Sequence, residues 1–321
     1  MSSNNVVPPP SPWTIKVDAV VTQVNPTPND FPTIQAALDA AASAPRGTGT
    51  QFVIHVTAGK YQEYVTVKSN NVTIVGDGIG KTIITGNRSA KGGFKTSDSA
   101  TLSVEGEGFI GAGFTVENTA GPENEQAVAV MTSADHAAFH KCSFEGYQDT
   151  LYAHKGTQFY RDCDIYGTVD FIFSLRGAAV LQNCRIYPRI PGGNGKPSTI
   201  TADGRPGPND PFGICIHNCE VSASKELGDA LAAGAKIQTY LGRPWSDHSR
   251  TVFITTKMDR LVDAAGWLAW PDQPKWRPTT LYYREYKNCG LGAVTKADTQ
   301  NRVSWPGLHV TVADVSPPPK A

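Results

Sequence analysis

The sequence of 321 residues carries no excess of charge, since 29 basic residues balance 29 acidic ones at a pI near 7.0. No global field therefore favours nucleic acid or a membrane surface, although a local cationic groove for an acidic polymer stays open. No apolar run approaches the roughly 18 residues of a membrane span. There is no Gly-x-Ser-x-Gly, and the seven histidines are scattered, so a serine hydrolase has no visible nucleophile. Six cysteines over this length force no disulfide framework. The start, Met1-Ser-Ser-Asn-Asn-Val-Val-Pro8, lacks a basic and an apolar leader segment, which leaves a cytosolic protein or a mature form with a new Met. Asn71-Val-Thr73 and Asn87-Arg-Ser89 are glycosylation triplets compatible with secretion.

Two apparent motifs are incomplete. Gly76-Asp-Gly-Ile-Gly-Lys-Thr82 suggests a phosphate loop, but Val75 stands where the first glycine is needed and no helix follows, so a corner turn is expected. Cys215, His217 and Cys219 lie close together without a second ligand cluster at metal-site spacing. No metal and no cofactor are expected.

What the sequence does hold is repetition. Cys142, Cys163 and Cys184 are 21 residues apart, inside related segments Phe139–Phe144, Phe159–Ile165 and Val180–Ile186, and Ile214–Val221 is a later copy. Short β-rich units of this period point to a coiled β-helix. The polar residues share the period: Gln126 and Gln148 are 22 apart, Asp149 and Asp170 are 21 apart. One coil separates stacked residues by about 4.8 Å, so two glutamines and two aspartates are expected on neighbouring rungs. Carboxylates that close repel unless one is protonated or a cation intervenes, which marks a reaction centre. The cysteine column reads equally as a disulfide or as a stack of small apolar side chains inside the coil.

Along the chain, residues 1–14 form a Ser/Asn/Pro-rich arm, 15–312 the β-helix, and 313–321 a Pro-rich tail. Val17–Val24 suits a first strand. Ile34, Ala37, Leu38 and Ala41 have helical spacing, with Asn29 or Asp30 as cap, and the helix should close one end of the solenoid. Short strands follow at Phe52–Val56, Tyr64–Val67, Val72–Val75 and Thr82–Thr85. Ile186–Pro211 reads as a loop excursion, Ala223–Ala235 as a short helix or loop, and the chain after Tyr283 as a tail along the body.

Several stretches in order resemble the plant pectin methylesterases: Gly59-Lys-Tyr-Gln-Glu63, Gln126-Ala-Val-Ala129, Cys142–Tyr152, Gly167-Thr-Val-Asp-Phe-Ile-Phe173, Leu241-Gly-Arg-Pro-Trp245, Gly266-Trp267 and Tyr282–Tyr286. The resemblance implies an all-β fold, a single-stranded right-handed parallel β-helix, and hydrolysis of the methyl esters of homogalacturonan. It implies Asp170 as nucleophile, Asp149 as acid and base, Gln126 and Gln148 as oxyanion donors, and Arg243 as the cation that orients the nucleophile. It also implies Thr96, Tyr152, Phe173, Trp245 and Trp267 along the cleft, and a disulfide between Cys163 and Cys184. Implied partners are methyl-esterified homogalacturonan and a proteinaceous pectinesterase inhibitor, without nucleic acid or membrane, for a secreted monomer of the cell wall.

The chemistry fits those residue types. A fixed, partly desolvated carboxylate divides ester hydrolysis into two acyl transfers. The two aspartates must differ in protonation, Asp149 raised by its neighbour and Asp170 lowered by Arg243. Neutral amides suit the oxyanion. One departure from the family pattern is Ser174, where the family has Gly, followed by about one extra residue before Ala179. Competing readings are a polygalacturonase-like glycosidase on the same solenoid, a pectin-binding allergen-like protein without turnover, and a calcium-dependent lyase, which would need a further carboxylate cluster.

Overall fold

A computed structural model describes residues 16–193, 196–271, 279–294, 301–305 and 307–311. The sequence's arm at 1–14 and tail at 313–321 fall outside these residues. The chain winds as a parallel β-helix, in which every strand pair among the described residues is parallel. An eight-stranded sheet forms one face and contains Ser143–Glu145, Asp164–Gly167 and Arg185–Pro188. The other strands join one 16-stranded sheet because Leu151–Arg161 and Ile172–Gln182 each bend round a corner. Their first residues pair towards Val130–Thr132 on one side and Ser198–Asp203 on the other. Their last residues pair with Ala137–His140 and Gly213–His217 respectively.

The 21-residue repeat is the register itself: Leu151 faces Ile172 and Arg161 faces Gln182 without a slip. Inward positions stack by type. Phe139 lies flat on Tyr160 with centroids 5.2 Å apart, and Phe144 meets both edge-on. Ladders of like side chains one rung apart are the natural way for a short repeat to fill a core.

Several expectations change. The first strand is Ala19–Val21. The helix is Ile34–Ser43 with the anticipated buried face, but Thr33 is its cap, accepting from the Ala36 amide. Asp30 instead closes its own turn on the Thr27 amide. Glu63 accepts from the Ile34 and Gln35 amides, so a carboxylate sits at the helix N-terminus. Ile186–Pro211 is no simple excursion: Arg185–Pro188 and Ser198–Asp203 are both rungs. The chain after Tyr283 continues the coil, with Tyr282–Tyr286 pairing to both Arg250–Ile254 and Leu308–Thr311.

Cys163 and Cys184 form no disulfide in this structure; all six cysteines are free thiols. The column at Cys142, Cys163, Cys184 and Cys219 is buried, and each thiol donates to the carbonyl two residues back, at the end of the preceding strand. Contact with the next thiol, and then burial, pushes Cys163 and Cys184 upward, which keeps them protonated. The apolar-stack reading is the one the coordinates contain.

Candidate active site

Asp149 and Asp170 lie at equivalent points of successive coils, each two residues before a strand of the large sheet. Both backbones are left-handed, at φ 65° and 51°. That conformation is uncommon away from glycine but tolerated by Asp, and here it turns the carboxylate out of the coil rather than into the core. The turns are pinned. Thr150 donates its hydroxyl to the Tyr147 and Tyr166 carbonyls. At Gly167 any Cβ would lie 2.2 Å from that of Phe171, so the strand end admits no side chain there.

The two aspartates open into a cavity of about 230 Å³, lined also by Thr96, Gln126, Gln148, Tyr152, Phe173, Ala202, Arg243, Trp245 and Trp270. The acids are 8% and 6% exposed, yet their surroundings differ. Arg243, from the strand Thr239–Pro244, grips Asp170 with two parallel contacts: Nε to Oδ1 at 2.8 Å and Nη2 to Oδ2 at 2.7 Å. Thr199 donates its hydroxyl to Asp170 Oδ1 at 2.7 Å and accepts from the Asp170 amide at 2.9 Å. Arg243 is itself held over the Trp270 ring, 4.4 Å from its centroid. Asp149 has no such cation. Burial, and then the neighbouring Asp170 carboxylate, push it well above the usual carboxylate range, with Arg243 opposing. One acid is held in an ion pair while its neighbour favours the protonated form.

Gln126 and Gln148 line the same cavity, and neither side-chain amide bonds to another described residue. Their N–H groups remain open to an incoming oxygen. Tyr152 stacks on Phe173 at 4.1 Å, and Trp245, 41% exposed, stands 6.5 Å from Phe173 as a side wall. Thr96 precedes the short helical turn Ser97–Ser99 on the rim.

Nine of the ten site positions expected from the sequence, cysteines aside, line this cavity, and one does not. Trp267 is not in the cavity: it is 1% exposed, stacks on Tyr283 at 4.1 Å, and donates its indole N–H to Glu285. Trp270, three residues on, takes the cavity position. Trp270 and Thr199 were both missed by sequence reasoning. Thr199 follows Asp170 by 29 residues, off the 21-residue period, so spacing gave no signal for it. Ser174 is fully buried on the inward side and donates to the Gly177 carbonyl at 2.8 Å. It is not among the residues lining the cavity, and the corner from Ser174 to Ala179 pairs residue for residue with the preceding coil.

The family model described as Pectinesterase matches residues 18–317. The chain belongs to the pectinesterase family. A relative from Arabidopsis thaliana, the putative pectinesterase/pectinesterase inhibitor 38, is 51% identical over 304 residues, covering 94% of this chain and 60% of its own length. Pectinesterase 2 of Citrus sinensis is 47% identical over 277 residues, covering 86% of this chain and 52% of that protein. The chain thus spans little more than half the length of these curated pectinesterase relatives. Among solved structures, the pectin methylesterase from carrot superposes with a TM-score of 0.84 at 38% identity, covering 94% of this chain and 91% of that one. The parallel β-helix expected from the repeat is the fold of this family.

Proposed function

We propose that the protein hydrolyses the methyl esters of homogalacturonan, giving methanol and free galacturonate carboxylates. The observation that carries this reading is the pairing of Asp149 and Asp170 in one cavity, with only Asp170 clamped by a guanidinium. In the proposed sequence an Asp170 oxygen attacks the ester carbonyl carbon. The negative charge that develops on the carbonyl oxygen is met by the amides of Gln126 and Gln148. Collapse of the tetrahedral intermediate breaks the bond to the methoxy oxygen, which leaves as methanol with the proton of Asp149. Water then attacks the resulting mixed anhydride and gives a proton back to Asp149. Cleavage releases the polymer carboxylic acid, which ionises, and restores the Asp170 carboxylate.

The tandem of Tyr152, Phe173, Trp245 and Trp270 supports a sugar site, since flat rings pack on the apolar faces of pyranoses. We assign Trp270, rather than Trp267, to that wall. A pectin substrate, and the inhibitor named beside pectinesterase in the Arabidopsis relative, make an extracellular location and a proteinaceous inhibitor of the cleft part of the same proposal. The test is methanol release from highly methyl-esterified pectin, measured beside the appearance of new reducing ends. Methanol without reducing ends supports the esterase. Reducing ends without methanol would establish a glycosidase, and neither product would establish a binding protein.

A further inference from the structure

Just ahead of the two aspartate turns, one column of the coil holds Tyr147, Thr168 and Arg189, each 21 residues from the next. The ladder of the smaller sheet leads into this column, with Glu145 opposite Tyr166 and Gly167 opposite Pro188. Main-chain bonds there join adjacent rungs: the Thr168 amide donates to the Tyr147 carbonyl at 2.8 Å, and the Arg189 amide to the Gly167 carbonyl at 2.7 Å. The Arg189 side chain reaches one rung further. Its Nη1 donates to the Gly146 carbonyl at 3.1 Å and its Nη2 to the Tyr147 hydroxyl at 3.0 Å. The guanidinium carbon lies 4.1 Å from the Tyr147 ring centroid. One residue thus ties its own coil to the coil of Asp170 and to the coil of Gln148 and Asp149.

The guanidinium is also held from outside. Its Nε donates to Glu226 Oε1 at 2.8 Å, in the first turn of the helix Lys225–Ala232. Burial alone would raise the Glu226 carboxyl, but the bond from Arg189 outweighs it and holds it below its ordinary range, so the pair stays charged. Every nitrogen of the fork therefore has a partner. The contacts on the inner side land on the two residues before Gln148. The Gln148 amide has no partner of its own among the described residues, so the backbone beneath it decides where it points.

We propose that Arg189 is a positioning residue for ester hydrolysis: it straps the turn of Gln148 and Asp149 to the turn of Asp170 and so fixes the spacing between oxyanion donor and carboxylates. The assignment rests on the reading of the cavity as an esterase site. Arg189 is not among the residues lining the cavity, so it acts through the turns and not on the substrate. The reaction needs the ester carbonyl within reach of Asp170 and of the Gln148 amide at once, and a misplacement of about 1 Å can cost about 10²-fold in rate. A rigid planar fork resists such a shift where a lysine, with one mobile ammonium, does not.

The experiment measures methanol release by wild type and by Arg189→Met, which keeps an apolar stem without the guanidinium. The kcat should fall about 30-fold with KM within about twofold. Arg189→Lys, which keeps the charge without the fork, should recover only part of that loss. The alkaline limb of kcat/KM is the readout that a merely structural role would leave in place. Burial, then the Asp170 carboxylate, hold Asp149 up, and Arg243 opposes them. A loosened turn admits water and lets the carboxylates separate, so the limb should move to lower pH by about half a unit in Arg189→Met. A kcat within about twofold of wild type, an unmoved limb, or full recovery by lysine would overturn the strap. Should Arg189→Met not fold, Tyr147→Phe, which removes only the hydroxyl acceptor, should lower kcat about threefold and move the limb the same way, and an unchanged profile would overturn the strap in its place. If wild type releases no methanol, the esterase reading falls, and the strap is decided without turnover by NMR of the Asp149 carboxyl carbon as pH is varied. A lower titration midpoint in Arg189→Met supports it, and coincident titrations overturn it.

Discussion

The coil turns through left-handed residues at two places on successive rungs, and the two places behave differently. At the outer corner Lys141, Asp162, Asn183 and Asn218 have φ between 52° and 55°. Their side chains meet solvent or each other: Asn218 donates to Asn183 at 2.8 Å, and the Asp162 side chain, 35% exposed, faces His140. At the inner corner Asp149 and Asp170 share the same backbone conformation, yet the Asp170 side chain is 9% exposed and bound by Arg243. The repeat supplies a shelf that presents a side chain outward from each rung. Chemistry comes from what encloses the shelf, namely the aromatic walls and a guanidinium delivered 73 residues further along the chain.

The sharpest way to break this contrast is to make the same change on both shelves. Asp170→Asn should lower methanol release by at least about 10⁴-fold, by analogy with loss of a nucleophile elsewhere, while Asp162→Asn should stay within about twofold; thermal melts of both check the fold. Comparable losses in the two would end the distinction. Next in size, Gln148→Ala should reduce kcat by about 10²–10³ with little change in KM, read by steady-state methanol release.

The pH dependence sharpens the contrast further. In the proposed mechanism Asp149 carries a proton for the first step, and burial raises its pKa, so kcat/KM should fall as pH climbs through that raised value. Asp149→Asn should remove the alkaline limb along with most activity. Asp203 is a third buried acid, with no exposed surface, and burial pushes it up to about 7 despite bonds from the Arg250 and Arg205 amides. The folded form then binds more protons than the unfolded chain between about pH 4 and 7, so stability should drop by roughly 4 kcal/mol across that window. Asp203→Asn should flatten the slope in denaturant titrations at several pH values. The smallest effect belongs to the outer shelf: Asn183→Ala should lose about 1 kcal/mol to left-handed strain, and Asn183→Gly less.

Much of this was legible in the sequence because a one-dimensional repeat converts spacing directly into adjacency. Asp149 with Asp170, and Gln126 with Gln148, could be placed together before any coordinates. Where the period breaks, legibility fails. Ser198–Asp203 looked like loop because Pro and Gly surround it, and Thr199 was hidden with it. Trp267 and Trp270 are both aromatic near a matching motif, and only packing separates the one stacked on Tyr283 from the one under Arg243. The helix cap was misplaced because Asp30, Asn29 and Thr33 are all good cap residues. The thiol column was ambiguous for a similar reason, since one rung spacing satisfies either a bond or a van der Waals stack.

The helix Ile34–Ser43 gives the solenoid a beginning that cannot be mistaken for another rung. Ile34, Ala37, Leu38 and Ala41 pack into the same core as Val21 and Ile54, and Glu63 anchors the lid by its first amides. A stack of identical coils has no intrinsic reason to stop, and a bare terminal coil would template a second molecule much as a growing fibre does. By covering that end of the core beside the terminal strand Ala19–Val21, ten residues leave less of the last coil open to head-to-tail growth.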